Sequence, residues 1–107
     1  TDGQILEIGK KPESLAEIEG QYMGLIKLSG KGSKVLKKVF NDAKTNGGLQ
    51  GKSVESAYMT DLLQEVIDTG NRVDSVAVHG GWVEVDTVDD YLSNVTKERL
   101  IQIELSV

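Results

Sequence analysis

The run Tyr22-Met23-Gly24-Leu25-Ile26-Lys27-Leu28 constrains the fold more than any other stretch of this 107-residue chain. It is nearly continuous in apolar side chains, which suits a central strand covered on both faces. Helices layered on a sheet supply such covers. Gly24 interrupts the run. A glycine there marks either the close approach of another backbone or ligand, or a gap filled by neighbouring bulk.

Two segments have the period of covering helices. Ser33 suits an N-cap, and Val35, Leu36, Val39, Phe40 and Ala43 follow as an apolar stripe with Lys34, Lys37 and Lys38 largely outside it. Asn46-Gly47-Gly48 stops this helix near Thr45. Leu49 to Ser56 is a polar loop without a pattern. The second helix covers Ala57 to Thr69, with Tyr58, Met59, Leu62, Leu63, Val66 and Ile67 inward and Gly70 at its end. Glu13 to Glu19 suits one short helical turn under Ser14.

The remaining elements read as strands and one short helix. Asp2-Gly3 is a hairpin-turn dipeptide followed by a strand at Ile5–Ile8. Val73, Val76 and Val78 define another strand, and Gly80-Gly81 turns it into Trp82-Val83-Glu84-Val85-Asp86. Alternation places Trp82, Glu84 and Asp86 on one face, with Asp86 at the carboxyl end, where ligands bind in open α/β sheets. Thr87 then fits an N-cap with Asp90 as its capping-box partner, and Asp89 suits the helix dipole. In the tail, Ile101, Ile103, Leu105 and Val107 alternate with polar residues, so a final edge strand is expected, against a competing helix starting near Thr96. The order is β, β, α, α, β, β, α, β, an α/β pattern short of the parallel units of a complete nucleotide-binding sheet.

Composition narrows the function. The net charge is −5 and the sequence pI about 4.8, with no dense basic stretch, which argues against a nucleic-acid partner. No run approaches the roughly 20 apolar residues of a membrane span. No cysteine is present, which removes disulfides and thiolate chemistry and fits a cytoplasmic setting. His79, beside two glycines, reads as an ordinary turn residue. A chain that opens within a hairpin turn and without an initiator Met reads as a single domain, residues 1–107, belonging to a longer protein.

Three segments, in order, resemble the nucleotidyltransferases that join a nucleoside triphosphate to sugar 1-phosphates, phosphocholine or phosphonates. They are Ile8-Gly9-Lys10, Gly20-Gln21-Tyr22-Met23-Gly24-Leu25 and Gly81-Trp82-Val83-Glu84-Val85-Asp86-Thr87-Val88-Asp89-Asp90. Tyr58-Met59-Thr60-Asp61-Leu62-Leu63-Gln64 is similar to the helix preceding the last segment in that family. The flavour is that of choline-phosphate cytidylyltransferases and the enzymes attached to phosphoenolpyruvate mutases, over Gln4 to Asn94. The family's glycine-rich GxGxR loop, its following lysine and its first metal-binding Asp have no counterpart here. The resemblance therefore implies the C-terminal half of such an enzyme, a partial Rossmann-like mixed sheet flanked by helices.

The roles that follow are implied by that resemblance. Asp86 matches the second metal-binding Asp, with Mg²⁺ as the ion. Lys10 matches the catalytic lysine on the acceptor phosphate, with Lys11 as the other candidate. Tyr22 and Gly24 fall where the family lines the acceptor pocket. Tyr58 and Asp61 would face a cationic head group such as choline, although Tyr58 and Met59 also suit a core. Trp82 reads as core or pocket wall, and Glu84 as a supporting carboxylate or a solvated strand position. The expected partners are an NTP and a phosphorylated acceptor, and an isolated half-sheet is expected to form homo-oligomers. The rival reading is a non-catalytic assembly module joined through exposed strand edges.

Overall fold

The computed structural model describes residues 2–106. Helix accounts for 45% of the chain and strand for 4%. The elements are a 3₁₀ turn at Leu15–Glu17 and four helices: α1 (Gly30–Asn46), α2 (Met59–Asp68), α3 (Val88–Leu92) and α4 (Asn94–Ser106). The chain divides into two compact units, Thr1–Val76 and Ala77–Val107.

The first unit is organised on α1 packed against α2. Val39 and Ala43 of α1 meet Leu62 and Val66 of α2, with Leu49 from the intervening loop sealing the cluster. Val35, Leu36, Phe40, Val54, Ala57 and Val73 pack around it. Both expected stripes thus form the core, although Tyr58 and Met59 stay exposed. α1 begins earlier than Ser33: Ser29 is the N-cap, its Oγ accepting from the Gly32 N–H at 2.9 Å. Gly47 ends it in the left-handed region (φ 103°).

The loop expected to be patternless holds a tight turn. Leu49 and Lys52 exchange both backbone hydrogen bonds at 2.8 Å. Gln50 and Gly51 between them have φ 49° and 77°, the signs of a type I′ turn. Gln50 Nε2 then donates to Glu65 (2.7 Å) and Asp68 (2.9 Å), docking the turn on α2.

The expected α/β sheet does not form, and the partial Rossmann-like mixed sheet is overturned. Among the described residues, strand pairing is limited to two isolated antiparallel bridges, Gln4 with Asp74 and Leu49 with Lys52. The backbone of residues 20–28 makes no hydrogen bond to another described residue. Leu25 is 82% exposed and Val76 89%. The physical reason is that a strand draws its backbone bonds from a neighbour, whereas a helix satisfies its own.

The second unit carries α3 packed against α4. Thr87 caps α3 as expected: its Oγ1 accepts from the Asp90 N–H at 3.0 Å, and Asp90 Oδ2 accepts from the Thr87 N–H at 3.2 Å. The expected edge strand over 101–107 is overturned, because Ile101, Ile103 and Leu105 lie within α4; Val107 falls outside the described residues. Lys97, Glu98, Arg99, Leu100, Gln102 and Glu104 are good helix formers, and no neighbouring strand competes for this backbone. No helix among the described residues is long and apolar enough to cross a membrane.

Candidate functional site

Lys10 stands at the end of a tethered segment. Gln64, which is 2% exposed on α2, accepts from the Ile8 N–H at 2.8 Å and donates to the Leu6 carbonyl at 3.2 Å. Its Nε2 also donates to Asp68 Oδ1 at 2.9 Å. Gly9 follows with φ 77°, and a Cβ there would lie 2.7 Å from the Thr60 side chain. Lys10 Nζ sits 3.5 Å from Glu7, both side chains being more than half exposed. Such a pair contributes little stability and leaves the ammonium available. Asp68 is held below the ordinary aspartate value, first by Gln64, then by Gln50, with a smaller contribution from the positive charge of Lys10.

Tyr58 and Asp61 are brought together at the start of α2. Asp61 Oδ2 accepts from the Tyr58 N–H at 2.8 Å, the reciprocal half of a capping box. Lys52 completes the group, its Nζ lying 3.1 Å from Asp61 Oδ2 and 4.8 Å from the Tyr58 ring centroid. The Asp61 carboxyl is lowered first by the Tyr58 backbone N–H and then by Lys52. The aromatic-plus-carboxylate pair expected to hold a cationic head group therefore holds this chain's own lysine.

Tyr22 and Gly24 stand apart from these contacts. Gly24 has φ 87° and nothing within 4 Å of where a Cβ would be. Its left-handed backbone accounts for the glycine without the close approach read from the sequence. One surface depression, about 410 Å³, is lined by Ala43, Lys44, Gly47, Gly48, Ser53, Val54 and Glu55. None of the expected site residues is among them.

In the second unit Gly80 and Gly81 both take φ 77° and the chain bends at Gly80, but among the described residues no backbone hydrogen bond closes the expected tight turn into Trp82, which is half-buried. Glu84 and Asp86 are exposed. The Asp86 N–H donates to Asp90 Oδ2 at 3.1 Å, so Asp90 is committed to the backbone, while among the described residues no hydrogen bond engages the Asp86 carboxylate. Among the described residues no group of three or more His, Cys, Asp or Glu is placed to hold a metal. The Asp86 carboxylate by itself offers one hard oxygen donor, the type of ligand Mg²⁺ takes.

Gln64 and Lys52 were not among the sequence candidates. Thr60, Gln64 and Asp68 form a polar i, i+4 row beside the apolar stripe of α2, a signal for Gln64. Lys52 had none, because its partners are set by the turn at Gln50-Gly51.

No family model matches the chain, and no solved structure does. A CTP:phosphoglutamine cytidylyltransferase of Campylobacter jejuni is 33% identical over 97 residues, covering 91% of this chain. The chain spans 38% of that relative's length. The resemblance carried by the ordered segments from Gln4 to Asn94 is thus borne out: this chain is related to nucleotidyltransferases of the cytidylyltransferase type.

Proposed function

We propose that this chain is the acceptor-binding and second-metal portion of an enzyme that joins an NTP, CTP for preference, to a phosphorylated small molecule. The relative acts, by its name, on CTP and phosphoglutamine, so a phosphorylated amide or amino acid joins phosphocholine, phosphonates and sugar 1-phosphates as an acceptor class. The observation that carries the reading is Lys10, a solvent-facing ammonium at the end of a segment pinned to α2.

In this reaction an oxygen of the acceptor phosphate attacks the α-phosphorus of the NTP as the bond to pyrophosphate breaks. Lys10 offsets the acceptor's charge and orients the attacking oxygen. Asp86 is the residue here that would hold Mg²⁺, which when bound supplies charge neutralisation at the α-phosphate. The family resemblance assigns acceptor contacts to Tyr22, Gly24, Tyr58 and Asp61 in the first unit and to Trp82 and Glu84 in the second. The triphosphate cradle and the first metal carboxylate have no counterpart in this sequence. The 107-residue chain by itself is therefore expected to release no pyrophosphate from CTP with Mg²⁺ and phosphocholine. It is expected to respond to phosphocholine through the amides of Gly9 and Lys10 in ¹⁵N NMR. Pyrophosphate release by the chain alone, or a Lys10→Ala variant that responds like the parent, overturns the reading.

A second reading is favoured by the bare apolar side chains of Leu25, Ile26, Leu28, Val76 and Val78. An assembly module would cover them with a second copy, and light scattering tests this directly. A monodisperse monomer at high concentration sinks it.

A further inference from the structure

We propose that Gln64 is a positioning residue for Lys10, its side-chain amide taking the place of a neighbouring strand along the segment that presents the lysine. The inference rests on the acceptor role of Lys10 given above. Gln64 is one of only two buried polar residues among those described. Its amide contacts are long-range, reaching back 56 and 58 positions to Ile8 and Leu6.

The geometry is that of a parallel bridge. In a parallel pair, one residue's peptide groups bond the carbonyl of residue i and the N–H of residue i+2 on the facing strand. Gln64 does the same with its amide: Nε2 donates to the Leu6 carbonyl at 3.2 Å, and Oε1 accepts from the Ile8 N–H at 2.8 Å. The opposite edge is tied to backbone, with Ile5 N–H donating to the Val73 carbonyl at 2.8 Å and Ser75 N–H to the Gly3 carbonyl at 2.7 Å. Odd positions thus bond one side and even positions the other, as in a central strand, although only one side is a chain.

The clamp ends where the lysine begins. Gly9 lies against Thr60, one helical turn before Gln64 on α2, in a left-handed conformation that leaves no room for a side chain. Lys10 leaves from there, beside Glu7 and within the field of Asp68. Asp68 in turn accepts from the Gln64 amide at 2.9 Å, which fixes which end of that amide faces Leu6. Glutamine is the neutral side chain of this length with both a donor and an acceptor. Leucine would fill the space and leave two part-buried backbone groups without partners.

The test uses the ¹⁵N-labelled chain, amide exchange and inorganic phosphate as the probe. Gln64→Leu is expected to speed Ile8 amide exchange on the order of tenfold, the effect of losing one such bond. The Val39 and Ala43 amides in α1 should keep their protection, and the phosphate response at Lys10 should fall several-fold. Gln64→Glu keeps the acceptor for the Ile8 N–H and is expected to retain most of that protection; it also serves if the leucine variant does not fold. Unchanged Ile8 exchange in both variants overturns the proposal, as does an opened Ile8 with an unchanged phosphate response. Lys10→Ala separates the two readings. If it leaves the phosphate response intact, the acceptor role of Lys10 falls and the positioning role with it, while Ile8 exchange still reports whether the clamp exists.

Discussion

Leu62 and Leu25 are the same residue in two regions of one chain, and they meet opposite fates. Leu62 is 9% exposed between α1 and α2, whereas Leu25 is 82% exposed in a segment without backbone partners among the described residues. Their neighbourhoods are similarly apolar, so hydrophobicity alone did not decide the difference. α1 and α2 close their backbone bonds within themselves and then need only one another's stripe. Residues 20–28 need a facing strand before their side chains are worth burying.

The largest expected effect tests that contrast directly. Leu62→Ala should cost about 2–5 kcal/mol through the lost contacts and the cavity left behind, read from urea unfolding midpoints. Leu25→Ser should change the midpoint by less than about 0.5 kcal/mol and raise solubility. Equal losses would mean that the segment is packed in solution and that the contrast is wrong.

A smaller effect is expected from two glycines with similar backbone angles. A Cβ at Gly48 (φ 110°) would collide with the Lys52 carbonyl, while one at Gly24 (φ 87°) meets open space. Gly48→Ala should therefore cost about 2–3 kcal/mol. Gly24→Ala should cost less than about 1 kcal/mol, because nothing around residue 24 prevents relaxation to negative φ. Thermal unfolding of the two variants side by side reads the difference.

The smallest effect is one of pH. Asp61 and Asp68 are both lowered in the fold, first by the Tyr58 N–H and by the Gln64 amide respectively. Their contribution is fully present above the unfolded aspartate value of roughly 3.9 and is lost as pH falls through the lower folded values. The unfolding midpoint should drop below about pH 4, and Asp61→Asn should flatten that drop. A midpoint that is flat across the acid range removes both carboxylates from the stability of the α2 surroundings.

The same contrast explains what could be read in the sequence. The stripes of α1 and α2 and the Thr87–Asp90 capping box are local patterns, and each appears where its residues predict. Ser29 rather than Ser33 is the cap because Gly30-Lys31-Gly32 is helical, at little cost in a first turn. The strands failed because alternation is a conditional signal, meaningful only beside a partner. At Ile101–Leu105 it was outweighed by charged helix formers. Of the candidate site, Lys10 is proposed from the family resemblance. The residues that hold it there, Thr60 and Gln64, become visible only once α2 is laid beside Leu6–Ile8.

The lysine over Tyr58 carries a consequence for ligand choice. Lys52 is joined to Tyr58 by five intervening residues, so its ammonium visits that ring and the Asp61 carboxylate as a tethered competitor. Short flexible tethers give effective concentrations on the order of millimolar. A free trimethylammonium group arriving at the same spot contends with that standing local concentration before it gains any contact. An acceptor whose far end is neutral or anionic faces no such rival there.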